Sequence, residues 1–265
     1  MTRTQPPRPD LPMPRRGLLT LAGGLLAAPL LPAAPALATG GFALAPDYRA
    51  GWAVQKTSAK ARIVQLADGV RADTPARLAD IDTGALALWS RQKTAGDWTI
   101  AFGYRVLSRL SDPGGTFCCF YFNGIGEGSA RYPLDISKWK NIRPADEVYF
   151  RHSRGLRFSF ATANPDPKQD FPPGQLRLRS YDRSNGPLIE PSSPIEYPFT
   201  TKVPYLVAVT RRGSTLTVEV TEETTGDKHA HAWTDERIAL WYDGRVGFRW
   251  RGQDAEVTGL TYTRL

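Results

Sequence analysis

The sequence has little of several residue types on which common functional sites depend. Its 265 residues include only three histidines and two cysteines, and the cysteines, Cys118 and Cys119, are adjacent. Such a pair cannot supply the framework of bridges that staples a small secreted domain, and it lacks the spacing of a zinc site. Neighbouring strand residues point to opposite faces, so we expect one thiol on each face. A strained vicinal disulfide in an oxidising compartment is the alternative.

Long hydrophobic runs, helical periodicity and internal repeats are missing as well. Beyond the first 38 residues, no stretch is long and apolar enough to span a bilayer. No segment keeps apolar residues at helical spacing for more than a turn or two, and no repeat is visible. These absences argue against a membrane-spanning protein, a helical bundle and a propeller.

Residues 1–38 have the pattern of an export signal. Arg15 and Arg16 precede the apolar run LLTLAGGLLAAPLL, and Ala36-Leu37-Ala38 matches the small-residue pattern that a signal peptidase cuts. Paired arginines favour the twin-arginine route, and an ordinary secretory signal is the alternative. We therefore predict an exported protein, periplasmic or secreted, in which residues 39–265 form a single domain.

The charge balance is mildly basic and by itself excludes few classes of binding partner. The chain carries 34 Lys and Arg against 26 Asp and Glu, a net charge of +8. The predicted leader contributes +3 of it, which leaves about +5 on the remainder. Such a balance allows an acidic partner without requiring one. Nucleic acid is not expected as a partner, because an exported chain without a basic run offers no surface for it.

Short alternating segments separated by turns dominate the rest of the chain. In WTIAFGYRVLSRL, the side chains of Trp98, Ile100, Phe102 and Tyr104 fall on one face of a predicted strand. Arg212-Gly213 joins two further alternating runs as a predicted hairpin. Ten or more such strands predict an all-β sandwich or jelly roll.

The stretch from Thr116 to Ala161 is where we expect a site. It begins with the aromatic strand TFCCFYFN and continues through a long loop rich in charged and aromatic residues. A second strand is predicted from Val148, with the side chains of Leu156, Phe158 and Phe160 on one face. Long loops between strands frequently carry binding or catalytic residues.

Five segments together resemble a known superfamily. They are GDWTIAFGYRVL, FNGIGEG, VYFRHSRGLRFSFAT, YLVAVTRRGSTLTVEV and DGRVGFRWRGQDAEVTGLTYTRL. In this order they resemble the concanavalin A-like lectin/glucanase superfamily, and most closely its YesU-like bacterial proteins, which are associated with pectin-type polysaccharides. The resemblance covers nearly all of residues 39–265. It implies a jelly roll of two curved antiparallel sheets whose concave face holds a sugar chain in many relatives. A structural calcium ion is implied only by this resemblance, and no other cofactor is predicted.

The sequence departs from the glucanases of that superfamily in one respect. Their catalytic strand carries carboxylates at E-x-D-x-x-E spacing, which this chain lacks; the nearest cluster, Glu219 to Glu223, has no central Asp. Retaining hydrolysis requires two carboxyl groups about 5–5.5 Å apart. A lyase that acts on uronate chains instead needs a cation or amide to hold the carboxylate, and a Tyr or His to move the proton.

His152 and Tyr149 are the candidates for proton transfer. His152 lies between Arg151 and Arg154, and nearby positive charge favours the neutral imidazole that a base requires. The alternative is a strand-end histidine bonded to backbone. His229 and His231 share a face, but no third ligand is in view, so no metal site is predicted.

The predicted sugar contacts are amide, carboxylate, aromatic and guanidinium groups on the central stretch and on later strands. Asn123 and Arg157 would hold a uronate in the lyase interpretation. The whole set is Tyr121, Asn123, Glu127, Trp139, Arg154, Arg157, Arg177, Arg179 and Arg249, with Arg251 beside the last. Aromatic rings in this set could equally be core residues, and the arginines could simply solvate an outer sheet face.

These observations predict an exported protein that acts on a polysaccharide or oligosaccharide, and they favour one that contains acidic sugars. The main prediction is cleavage of a glycosidic bond by a lyase or hydrolase. The alternative is a non-catalytic, lectin-like sugar-binding module, and a structural envelope protein without a sugar ligand is a third possibility.

Overall fold

A computed structural model describes residues 42–56, 60–74, 84–109, 117–142, 144, 146–161, 176–182, 189 and 199–265. The predicted export signal, residues 1–38, lies outside these ranges. One compact unit spans residues 37–265. Within the described ranges, no helix has the length and apolar character needed to cross a membrane.

The regular structure is almost entirely strand, and the helices are short. The helices are α1 (Tyr48–Gly51), α2 (Asp146–His152) and α3 (Glu236–Leu240), with a 3-10 helix at Ile136–Lys138. The strands are β1 (Trp52–Lys56), β2 (Arg62–Gln65), β3 (Gly69–Asp73), β4 (Leu86–Ala95), β5 (Trp98–Arg109), β6 (Phe117–Gly126), β7 (Ser153–Ala161), β8 (Leu176–Asp182), β9 (Pro204–Arg212), β10 (Thr215–Glu222), β11 (Lys228–Thr234), β12 (Asp243–Arg251) and β13 (Gln253–Arg264).

The strands form two antiparallel sheets, which confirms the predicted all-β jelly-roll sandwich. The six-stranded sheet has the order β1-β4-β12-β6-β7-β8, and the seven-stranded sheet has the order β11-β10-β9-β5-β13-β3-β2. The predicted hairpin at Arg212-Gly213 is confirmed, because β9 pairs with β10 across it. The chain crosses repeatedly between the sheets, so some paired strands, such as β4 and β12, are distant in sequence.

The main core lies between the two sheets and follows the alternation of each strand. The side chains of Trp98, Ile100, Phe102 and Tyr104 are all buried there, as predicted for β5. From the other sheet, Phe120 brings its ring centroid to 5.4 Å from that of Phe102. Burial of this apolar face is the main force that holds the sheets together.

The two cysteines lie on opposite faces of β6, as the strand geometry predicts. The side chain of Cys118 is buried in the inter-sheet core, whereas that of Cys119 is buried on the other face of the six-stranded sheet. Neither cysteine forms a disulfide bond. Burial raises the pKa of the Cys118 thiol well above its usual value, so this thiol is unreactive in the folded protein.

The predicted strand start at Val148 is wrong. Residues 146–152 form α2, and β7 begins only at Ser153. The segment VYFRH contains a β-branched and two aromatic residues, which favour a strand in isolation. In the folded chain, Tyr149 is fully buried against the sheet, and this tertiary contact outweighs the local preference.

Candidate functional site

A second apolar cluster lies on the outer face of the six-stranded sheet, opposite the main core. The strands contribute alternate residues such as Trp89 on β4, Tyr121 on β6 and Tyr181 on β8. The cover comes from the segment between β6 and β7, described here for residues 127–142, 144 and 146–152, which we call the strap. Its contributions include Tyr132, Ile136, Trp139, Ile142 and Tyr149. The strap therefore helps to bury Tyr121, which the sequence suggested as a sugar contact.

Tyr149 is tied into this cluster by a chain of hydrogen bonds. Its hydroxyl donates to Oε1 of Gln55 on β1 at 2.7 Å and accepts from Nε1 of Trp89 at 3.4 Å. Nε2 of Gln55 in turn donates to the carbonyl of Ile136 in the strap, at 2.8 Å. Because Tyr149 is fully buried, these contacts suit a residue that positions the strap better than one that transfers a substrate proton.

An ion pair anchors the middle of the strap to β12. Asp135 accepts hydrogen bonds from the backbone N–H of Ser137 at 3.1 Å and from its hydroxyl at 2.6 Å. Its other carboxylate oxygen accepts a hydrogen bond from Nη2 of Arg245 at 2.7 Å. Burial by itself would raise the pKa of Asp135, but Ser137 and Arg245 outweigh it and hold that pKa below its usual value.

The two aromatic candidates for sugar stacking are both buried. Trp139 packs its ring nearly parallel to that of Tyr149, with centroids 5.9 Å apart, and its Nε1 donates to the carbonyl of Pro133 at 2.8 Å. Tyr121 packs against Trp89 and Tyr149, at centroid distances of 5.2 and 5.3 Å. Both rings therefore stack on the protein itself rather than on a surface open to solvent.

A polar group at the edge of the strap reaches the surface. Nδ1 of His152 lies 2.8 Å from Oε2 of Glu127, whose Oε1 accepts from the hydroxyl of Ser129 at 2.6 Å. The imidazole also stacks on the ring of Tyr132, with centroids 3.8 Å apart and planes 10° apart. About a third of the His152 side chain is exposed, 30%. An imidazole oriented by a carboxylate at the surface can accept or donate a proton.

The side chain of Asn123 is buried and hydrogen-bonded within the protein. Asn123 is fully buried at a bulge in β6 and has a positive φ of 55°. The hydroxyl of Thr94 donates to its Oδ1 at 2.9 Å, and its Nδ2 donates to the carbonyl of Trp241. Gly155 of β7 has a φ of +136°, and a Cβ there would lie only 2.7 Å from the carbonyl oxygen of Asn123. The bulge therefore needs a glycine beside it.

Three of the predicted arginines lie together on the outer face of β7 and β8. Arg157 pairs directly with Arg179, and Ser159 pairs with Arg177 one step along the strands. Arg177 and Arg179 alternate with the core residues Leu176 and Leu178, so their side chains point away from the core. The pKa of Arg177 is lowered by burial and by the charges of Arg179 and Arg157. We call Arg157, Arg177 and Arg179 the arginine row.

Members of the row differ in exposure. Arg157 is buried, and its guanidinium lies 5.2 Å from the ring centroid of Phe150 and 5.6 Å from that of Tyr181. Arg177 and Arg179 are half-buried. Such cation–π contacts stabilise a guanidinium that has lost part of its water.

Two further predicted arginines, Arg154 and Arg249, contact neighbouring parts of the protein. Arg154 forms a half-exposed ion pair with Asp182, with 3.3 Å between Nε and Oδ1. Arg249 on β12 is buried, and its Nε donates to the carbonyl of Pro144. Each of these two side chains therefore holds together neighbouring segments of the chain.

The structure thus divides the predicted site into two environments. Tyr121, Asn123, Trp139, Tyr149, Arg157 and Arg249 are buried, whereas Glu127, His152, Arg154, Arg177 and Arg179 reach the surface at least in part. Sequence reasoning missed Tyr132 and Ser129, although both lie in the glycine-flanked loop that it singled out. His229 and His231 lie on the edge strand β11, and no group of three metal-binding side chains occurs among the described residues.

Comparison with known proteins places the fold within the lectin-like jelly rolls. No protein-family model matches the chain, and no curated protein matches its sequence. A Bacillus subtilis protein of unknown function with a galectin-like fold superposes with a TM-score of 0.58 and 12% identity, over 80% of this chain and 89% of that one.

Two structures solved with sugars superpose to a similar extent. The lumenal domain of VIP36, solved with Ca²⁺ and Man3GlcNAc, gives a TM-score of 0.56 at 15% identity, over 86% of this chain and 89% of that one. Lectin UEA-II, solved with galactose, gives a TM-score of 0.51 at 12% identity, over 81% of this chain and 93% of that one. At these identities the likeness establishes a concanavalin A-like fold, while the closer likeness to YesU-like proteins remains a prediction.

Proposed function

We propose that the protein is a lectin-like module that binds carbohydrate without cleaving it. Support comes from the jelly-roll fold shared with VIP36 and UEA-II, whose structures contain sugars. Further support comes from the setting of Tyr149, whose hydroxyl is enclosed by Gln55 and Trp89. The proposal thus adopts the alternative from the sequence rather than its main prediction of bond cleavage.

The arginine row is the observation that carries the choice of ligand. Three guanidinium groups lie on adjacent strands, and the lowered pKa of Arg177 reflects burial first and then repulsion by Arg179 and Arg157. A carboxylate or sulfate placed between them relieves the repulsion and accepts charge-assisted hydrogen bonds. We therefore propose an acidic sugar as the ligand, bound on the outer face of β7 and β8.

Polygalacturonate and its fully methyl-esterified form provide a matched pair of probes, since they differ chiefly in charge. We expect calorimetry at low salt to show binding of the free acid but not of the ester. The variant Arg177→Gln/Arg179→Gln should weaken this binding at least tenfold, about the effect of one charge-assisted hydrogen bond.

The control variant Arg49→Gln/Arg62→Gln removes the same charge from exposed positions on α1 and β2, outside the six-stranded sheet. It should change the affinity less than about twofold, because exposed charges outside the binding site contribute little. Equal affinity for acid and ester, or equal loss in both variants, would contradict an acidic-sugar site on this face.

Bond cleavage is a second candidate, and the Glu127–His152 pair is the observation that favours it. Oε2 of Glu127 lies 2.8 Å from Nδ1 of the partly exposed His152 and orients its imidazole, as a general base requires. Incubation with uronate-containing polysaccharides should reveal a lyase by the ultraviolet absorbance of unsaturated ends, or a hydrolase by reducing ends alone. Either signal, lost in His152→Ala, would replace the binding module with an enzyme.

A further inference from the structure

A depression lies on the outer face of the seven-stranded sheet, on the side of the molecule opposite the arginine row. Its floor includes Gly103 of β5 and Thr258 of β13, which pair with each other. Leu206 of β9 and Gly69 of β3 continue this cross-strand row on either side. Two of these four positions have no side chain, so the sheet surface is low there. The volume is about 400 Å³, within the range of about 300–1,000 Å³ that is usual for small-molecule pockets.

The depression is fixed by close packing of the sheet itself. A Cβ added at Gly103 would lie 2.5 Å from Oγ1 of Thr258, and one added at Gly69 would lie 2.1 Å from the carbonyl oxygen of Val257. A side chain at Gly69 would displace the neighbouring strand, whereas one at Gly103 would require the Thr258 side chain to move. The low floor is therefore a property of the folded sheet rather than of mobile side chains.

The wall beside β5 and β13 presents a prearranged donor and acceptor. Nε and Nη2 of Arg105 both donate to the same oxygen of Glu256, Oε2, at 2.8 and 2.5 Å. Glu256 is largely buried, with 12% of its side chain exposed, while Arg105 is half-exposed. This contact fixes the direction of the guanidinium, and the hydroxyl of Thr258 lies beside it on the floor.

The other walls supply acceptors and apolar surface. Asp68 lies in the turn between β2 and β3. The backbone carbonyl of Asp68 accepts a hydrogen bond from the N–H of Gly259 on β13 at 2.9 Å, which holds this turn against β13. Glu223 follows β10, and its N–H donates to the carbonyl of Pro204 at 3.0 Å. Leu66 and Pro204 complete the lining with apolar groups. Polar and apolar groups thus converge from three strands and two turns.

We propose that this depression binds a single neutral sugar residue. Sugar hydroxyls can donate to the carboxylates of Asp68, Glu223 and Glu256 and accept from Arg105, while Leu66 and Pro204 can cover the C–H face of a ring. Three carboxylates against one guanidinium disfavour an anion, so the site has the opposite preference to the arginine row. The proposal stands on a separate surface and does not depend on that row.

NMR titration of the isotope-labelled protein tests the proposal, because Gly103 and Thr258 report from the floor. The probes are the methyl glycosides of glucose, galactose and mannose, with glucuronate as the charged comparison. We expect at least one neutral glycoside to shift both amides saturably, and glucuronate to leave them unshifted. The variant Asp68→Asn/Glu223→Gln should weaken binding about tenfold, the effect of losing hydrogen bonds to charged acceptors.

Two control variants separate this site from other effects. Glu219→Gln removes a half-exposed carboxylate of the same sheet that pairs with Lys228 outside the depression, and it should bind as the parent does. Arg177→Gln/Arg179→Gln should also retain binding, whatever the outcome for acidic sugars. Absence of a saturable shift with all three glycosides, or equal affinity of the Asp68→Asn/Glu223→Gln variant, would overturn the proposal.

Discussion

Replacement of Tyr149 by phenylalanine distinguishes a structural from a catalytic role for this residue. Tyr149→Phe removes only the hydroxyl, so the ring still fills its place in the fully buried cluster. The loss leaves Oε1 of Gln55, buried beneath the strap, without the donor that lies 2.7 Å away. An unsatisfied buried acceptor costs about 1–3 kcal/mol. The contact from Trp89, at 3.4 Å, is long and adds little.

Urea denaturation measures this cost directly. We expect the free energy of unfolding to fall by about 1–3 kcal/mol with an unchanged m-value. Tyr242→Phe is a matched control, because Tyr242 is 59% exposed and the same substitution there should change stability by less than about 0.5 kcal/mol. Parent-like stability for Tyr149→Phe, together with loss of a polysaccharide-cleaving activity, would refute the structural role.

Two further predictions concern the bulge and the strap. Gly155→Ala should lower the free energy of unfolding by about 2 kcal/mol or more, because of its positive φ and its 2.7 Å approach to the carbonyl oxygen of Asn123; a urea midpoint equal to that of the parent would contradict this. Asp135 has its pKa lowered in the folded state, so its contribution to stability is present above its unfolded pKa of about 3.9 and is lost as the pH falls through the lower folded pKa. Asp135→Asn should therefore destabilise the protein at neutral pH and flatten the acid side of the stability profile, and parallel profiles for parent and variant would be the contrary result.

The fold was predictable because its strands repeat a simple pattern. The alternation of Trp98, Ile100, Phe102 and Tyr104 identifies the core face of β5, and the structure buries all four. Arg212-Gly213 marks the β9–β10 hairpin, since Gly213 supplies the positive φ that the turn needs. Both signals are local, so the sequence around each element is sufficient to predict it.

The candidate site was less predictable because burial there depends on distant contacts. Tyr149 reaches Gln55, which is 94 residues earlier in the chain, and no local pattern indicates that pairing. The same holds for Asn123, whose amide appeared suited to sugar hydroxyls but is enclosed by Thr94 and Trp241. Arg177 and Arg179 were easier to place on one strand face, because they alternate with leucines in the sequence.

The strap also has a consequence for the order in which the protein folds. The α-helix of the strap, α2, has seven residues, and isolated helices shorter than about 12–15 residues are marginal in water. The bonds that hold the strap reach back to β1, over sequence separations of 81 and 94 residues. Such contacts incur their loop-closure entropy before they add stability. We therefore expect the sheet to assemble first and the strap to close over it as a late step of folding.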